Sequence, residues 1–119
     1  VQKWIDILDV RPNNPNMLAS QLSGGNQQKV VIAKWLSTNT KIIIIDEPTN
    51  GVDIGAKAEI HQIIRKAAAD GCAVLVISSE LPEILSVSDR ILVMRKGRIS
   101  GEYENHEITQ EMIMEKAVI

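Results

Sequence analysis

Ile42-Ile43-Ile44-Ile45-Asp46-Glu47-Pro48 is the stretch on which the fold turns. Four β-branched residues in a row are stiff at χ1 and suit a pleated strand. A short continuous run of this kind reads as a central parallel strand, 41–46, covered on both faces. Two carboxylates stand where the run ends. In open α/β sheets, ligands bind beyond the carboxyl ends of the strands. Asp46 there offers a hard oxygen ligand that suits Mg²⁺ through water. Glu47 is placed to orient and polarise an attacking water. Taken alone, the pair reads equally well as solvated turn residues that stop a strand.

Upstream lies Leu22-Ser23-Gly24-Gly25-Asn26-Gln27-Gln28-Lys29. Ser23 is a good N-cap for a helix running to about Ser37, because its hydroxyl accepts from amides of the first turn. Two glycines at a helix start leave backbone N–H groups and the positive end of the dipole open to an anion. An ordinary capped helix after a glycine turn would look the same. Val30 to Ala33 with Trp35 and Leu36 is apolar almost all round and predicts a well-buried helix. Before it, residues 1–8 carry apolar positions at helical spacing, and 10–22 read as a loop rich in Pro and Asn.

Downstream, Ala56, Ile60, Ile63, Ile64 and Ala67 mark one face of a helix ending near Asp70-Gly71. Residues 73–77 predict a second buried strand, and 82–85 a short helix. Residues 90–94 and 98–103 predict a hairpin about Lys96-Gly97. Thr109 can cap a last helix, with Ile108 and Ile113 as a hydrophobic staple. Alternating helix and strand give an α/β fold with a mainly parallel sheet.

Composition narrows the function classes. Of 119 residues, 45% are hydrophobic, too many for a disordered chain, and Phe is absent, so the core is aliphatic. The formal net charge of −2, spread without a basic run, gives no reason to expect nucleic acid. Cys72 is the single cysteine, which excludes an internal disulfide and a CxxC zinc pair and fits a reducing compartment. No run approaches membrane-spanning length. The start at Val1, without Met and inside a helical pattern, reads as a boundary within a longer protein.

Taken together, LSGGNQQK at 22–29 and IIIIDEPTNGVD at 42–53 resemble the signature and Walker B segments of the ATP-binding domains of ABC proteins. With Asn26, DEPTNGVDIGAK and ISSELPEIL, the chain is most similar to the second ATP-binding half of double-length bacterial sugar importers of the ribose, galactose and xylose types. The resemblance covers nearly all 119 residues. It implies a P-loop NTPase-like fold in which 1–22 close a helical subdomain and 23–119 carry signature, Walker B, D-loop, switch region and a C-terminal hairpin and helix. It also implies that Ser23, Gly24 and Gly25, with Gln27 behind them, face the γ-phosphate of ATP held by a partner domain, head to tail. Lys29 is expected on the surface of that helix. Asp46 would stand near Mg²⁺, Glu47 would be the catalytic glutamate, and Asp53 the D-loop aspartate linking two sites. Implied partners are a second ATP-binding domain, membrane permease subunits and a sugar-binding protein, at the cytoplasmic face of a bacterial membrane.

Two departures qualify this. Ser79 stands where the family has a switch histidine. A hydroxyl is shorter, with one donor and no charge, so the site using Glu47 is expected to be degenerate. His61 and His106 are read as solvated and do not replace it. No GxxxxGK[ST] occurs, so the Walker A strand expected between 73–77 and 90–94 is absent, leaving the sheet gapped or with unpaired edges. The isolated chain is therefore expected to be inactive. An ABC ATPase of translation or repair type, suggested by Asn50, and a non-catalytic interaction module are the other readings.

Overall fold

The computed structural model describes residues 1–118. They group into two compact units, Val1–Ile77 and a second from Ser78 onward.

In the first unit, α1 (Gln2–Leu8) ends at Asp9, whose left-handed backbone (φ 49°, ψ 49°) directs its N–H back to the last-turn carbonyls. A 3₁₀ turn at Ala19–Gln21 interrupts the expected loop. Helix α2 (Gly24–Leu36) is capped by Ser23, which accepts the Asn26 N–H. Strand β1 (Ile42–Asp46) pairs in parallel with β2 (Ala73–Ile77), in the register Ile42 with Ala73 through Asp46 with Ile77. Helix α3 (Ile54–Ala69) forms the crossover between them and is capped by Asp53. The central cluster joins Ile32 of α2, Ile43 and Ile45 of β1, and Ile60 and Ile64 of α3. A second cluster of Ile5, Leu8 and Val10 packs with Trp4, Leu22 and Ala33.

Three expectations about burial are corrected. Only one face of β1 is covered: Ile43 and Ile45 are buried, whereas Ile42 and Ile44 are 68% and 64% exposed. On β2, Leu75 and Ile77 are exposed in the same way, and the register puts these four side chains on one face. The alternation that governs a strand won over the apolar run. Helix α2 is not buried all round, since Val30, Val31 and Trp35 are exposed and only one stripe faces the cluster. Lys29 is not on the surface; it is 3% exposed.

In the second unit, α4 (Leu81–Val87) begins with Pro82 in its first turn, where a missing N–H costs nothing. Strands β3 (Arg90–Arg95) and β4 (Arg98–Glu104) form an antiparallel hairpin, a sheet separate from the parallel pair. Lys96 and Gly97 both have positive φ, 49° and 76°, the geometry a two-residue hairpin turn requires. Thr109 caps α5 (Gln110–Val118) by accepting the Met112 N–H. Ile113 is buried against Ile91 and Val93, with Ile108 packed beside it, as the staple predicts.

Candidate functional site

The Asp-Glu pair lies at the carboxyl end of β1. Asp46 is the last strand residue and is exposed. Glu47 leaves the strand with φ 48°, donates its N–H to the Ile77 carbonyl (2.8 Å) and accepts from Asn50. A non-glycine residue in that region carries roughly 1–3 kcal/mol of strain, and such residues cluster at functional sites. Pro48 and Thr49 behind the turn are almost completely buried. A single exposed carboxylate with a second beside it suits Mg²⁺, which completes its shell with water and phosphate oxygens rather than an all-protein cage. Among the described residues no cluster of three or more His, Cys, Asp or Glu side chains forms.

The signature segment packs directly on this loop. A side chain added at Gly24 would meet the Gly51 carbonyl at 3.5 Å, and one at Gly25 would lie 2.5 Å from the Ala56 Cβ. Further along, Lys29 of α2 meets Glu59 of α3. The contacts run in the same order on both helices, so α2 and α3 lie side by side with their N-termini at one end. That is the end where β1 delivers Asp46 and Glu47. Two helix N-termini and two capping residues, Ser23 and Asp53, thus lie at the end of the unit at which β1 terminates. Within the first turn of α2 the Asn26 N–H is taken by Ser23, Gly25 is buried and Gly24 is exposed, so any local preference for anions centres on Gly24.

The polar side chains are already engaged in shaping the loop. Ser23 Oγ accepts from the Asn26 side-chain amide at 2.9 Å as well as from its backbone N–H. Asn26 Oδ1 accepts the Arg11 N–H at 2.9 Å. Gln27 Nε2 donates to the Ala19 and Leu22 carbonyls at 3.0 and 3.1 Å, so this side chain turns back onto the preceding loop. Asp53 Oδ1 accepts the Ala56 N–H at 2.9 Å.

Ser79 belongs to the second unit, exposed two residues beyond the end of β2. Its loop is shaped by Ser78, whose hydroxyl donates to Glu83 at 2.6 Å and accepts the Glu80 N–H at 3.0 Å. Glu83 is 3% exposed, a buried carboxylate that sequence patterning did not single out. His61 is half-buried and His106 exposed. A groove of about 760 Å³ in the first unit lies elsewhere, lined by Trp4, Lys29, Lys41, Glu59, Lys66 and Cys72 among others. Lys41 and Cys72 precede β1 and β2, so the groove reaches the amino ends of the strands, away from Asp46 and Glu47.

Comparisons with known proteins bear on the family and the fold. The family model for ABC transporters matches residues 1–50. The chain is 62% identical over 95 residues to the xylose import ATP-binding protein XylG of Geobacillus kaustophilus, covering 80% of the chain and 19% of that protein. It is 57% identical over 112 residues to the ribose import ATP-binding protein RbsA 2 of Agrobacterium fabrum, covering 94% of the chain and 22% of that protein. The chain thus spans about a fifth of the length of these relatives. Among solved structures, a nucleotide-free ATP-binding cassette from an ABC transporter superposes with a TM-score of 0.80 at 31% identity, covering 88% of the chain and 41% of its own. A dimeric ATP-binding cassette in a post-hydrolysis state with ADP and Pi gives a TM-score of 0.75 at 28% identity, covering 89% and 46%. The α/β fold is that of the ATP-binding cassettes, and the chain belongs to the ABC transporter family of ATP-binding proteins.

Proposed function

We propose that this chain is the part of a sugar-import ATPase that donates the signature loop to ATP held by a second ATP-binding domain. The supporting observation is the glycine-rich N-terminus of α2, capped by Ser23 and packed on the loop that follows Asp46 and Glu47, in a chain most of which matches ribose and xylose import proteins. In this reading Ser23, Gly24 and Gly25 present backbone amides to the γ-phosphate of the partner's nucleotide. Gln27 holds the loop from behind. Asp46 would hold Mg²⁺ through water; when bound, the ion neutralises phosphate charge. Glu47, fixed by its strained backbone, polarises the attacking water at the other site. Asp53, capping α3 next to the signature, links the two sites. Residues 1–22 close the helical subdomain. Ser79 replaces a charged switch residue, so the site built on Glu47 is the weaker one. No described helix is long and apolar enough to cross a membrane; permease subunits supply that function in the parent, at the cytoplasmic face, with a sugar-binding protein outside.

The test is ATP turnover by the chain alone and mixed with a domain carrying an intact Walker A loop. Expected are no turnover alone, recovery on mixing, and loss of that recovery with Ser23→Arg. Turnover by the pure chain alone would overturn the reading.

A further inference from the structure

Lys29 is the least expected residue of the first unit. Lysine is almost never fully buried unless paired, yet this one is 3% exposed. Its Nζ donates to the Asp9 carbonyl at 3.1 Å, just past the C-terminus of α1, where a cation also meets the negative end of the helix dipole. On its other side it pairs with Glu59 of α3. One ammonium therefore ties α2 to both neighbouring helices.

Stability alone does not account for it. Burying the ammonium costs desolvation, only partly repaid by a half-exposed partner, and a well-packed apolar side chain of similar volume is often as stable or more so. What an ammonium supplies and a methyl does not is direction, because its donors are satisfied only where both acceptors lie. Lys29 is also one helical turn beyond Gly25, on the same stripe of α2. Gly25 seats against Ala56, and Glu59 follows Ala56 by three residues on the same face of α3. Sliding or rotating α2 would break both contacts together. Ser23 stands two residues before Gly25, so whatever fixes this stripe fixes the loop that Ser23 opens.

We infer that Lys29 is a positioning residue for the signature loop, setting through Asp9 and Glu59 where Ser23, Gly24 and Gly25 are presented. The inference rests on the reading of that loop as the phosphate-facing element.

Amide hydrogen exchange on the full chain tests it with Lys29→Met, which keeps the stem and drops the charge. The acceptors left behind can reach water, since Glu59 is about half exposed (52%). The variant should therefore fold. Amides 26–30 should exchange about tenfold faster, while amides 43–45 of β1 change less than roughly twofold. Glu59→Gln, at a more exposed position, should shift the same amides in the same direction by less. Equal acceleration in both segments would mean a merely structural role, and no acceleration in either would mean none; both overturn the inference. Turnover in the mixture with a Walker A domain separates the two readings. Loss with Ser23→Arg and with Lys29→Met supports both. Loss with Ser23→Arg but not Lys29→Met removes only the positioning role. No effect of Ser23→Arg removes the signature reading and the inference with it.

Discussion

Gly25→Ala gives the sharpest test of how the signature segment is seated. By helix propensity alone the change should stabilise α2, by up to about 1 kcal/mol. The packing says the opposite. The added Cβ would lie 2.5 Å from the Ala56 Cβ and 3.6 Å from Val52 Cγ1. Ala56 has no side-chain freedom with which to yield, so one helix must shift. Overpacking of this kind costs about 1–3 kcal/mol. Both tryptophans, Trp4 and Trp35, lie in the first unit, so their fluorescence follows its unfolding without interference from the second. In a unit of this size each kcal/mol lowers Tm by about 4–8 °C. Ala56→Gly alone should also destabilise, through propensity. Combined with Gly25→Ala it should recover part of the loss, with a coupling of about 0.5–3 kcal/mol. Strict additivity of the two losses, or a Gly25→Ala variant as stable as its parent, would refute the close seating of α2 on α3.

Two further outcomes are expected. Ile60 is fully buried where α2, β1 and α3 meet, so Ile60→Ala should cost about 2–5 kcal/mol in the same fluorescence assay. The hydrogen bond from Arg11, with its charge, holds the Asp9 carboxyl below its ordinary 3.8. A depressed folded-state pKa means stabilisation that is complete above 3.8 and lost as pH falls below it toward the folded value. Asp9→Asn should therefore flatten the acid limb of a stability–pH curve and leave the curve's shape at neutral pH unchanged.

Much of this was legible from local chemistry. Ser23 and Thr109 cap because a hydroxyl can reach amides three residues on, and Lys96-Gly97 turns because a two-residue hairpin needs positive φ. These rules act within a few residues and so survive any context. What failed depends on distant neighbours. A run of four isoleucines does not say whether one face or two will be covered, and here only Ile43 and Ile45 are. Lys29 reads as a surface residue until Asp9, twenty positions earlier, and Glu59, on another helix, are seen to converge on it. Glu83 was invisible for the same reason, since nothing in the residues next to it in sequence marks it as buried.

The sharp charge boundary around β1 also matters when the chain is not folded. Ile42 to Ile45 is a short, β-prone, uncharged run of the kind that stacks into cross-β assemblies. Among the described residues β1 pairs with β2 alone, so one of its edges has no partner strand. Lys41 and Asp46 close the run at either end. In a parallel, in-register stack each would sit on its own copy about 4.8 Å away, repelling along the whole fibril axis. The carboxylate read here as a cation ligand thus stands where a gatekeeper charge would, and Asp46→Asn should make the unfolded chain aggregate faster, as followed by light scattering.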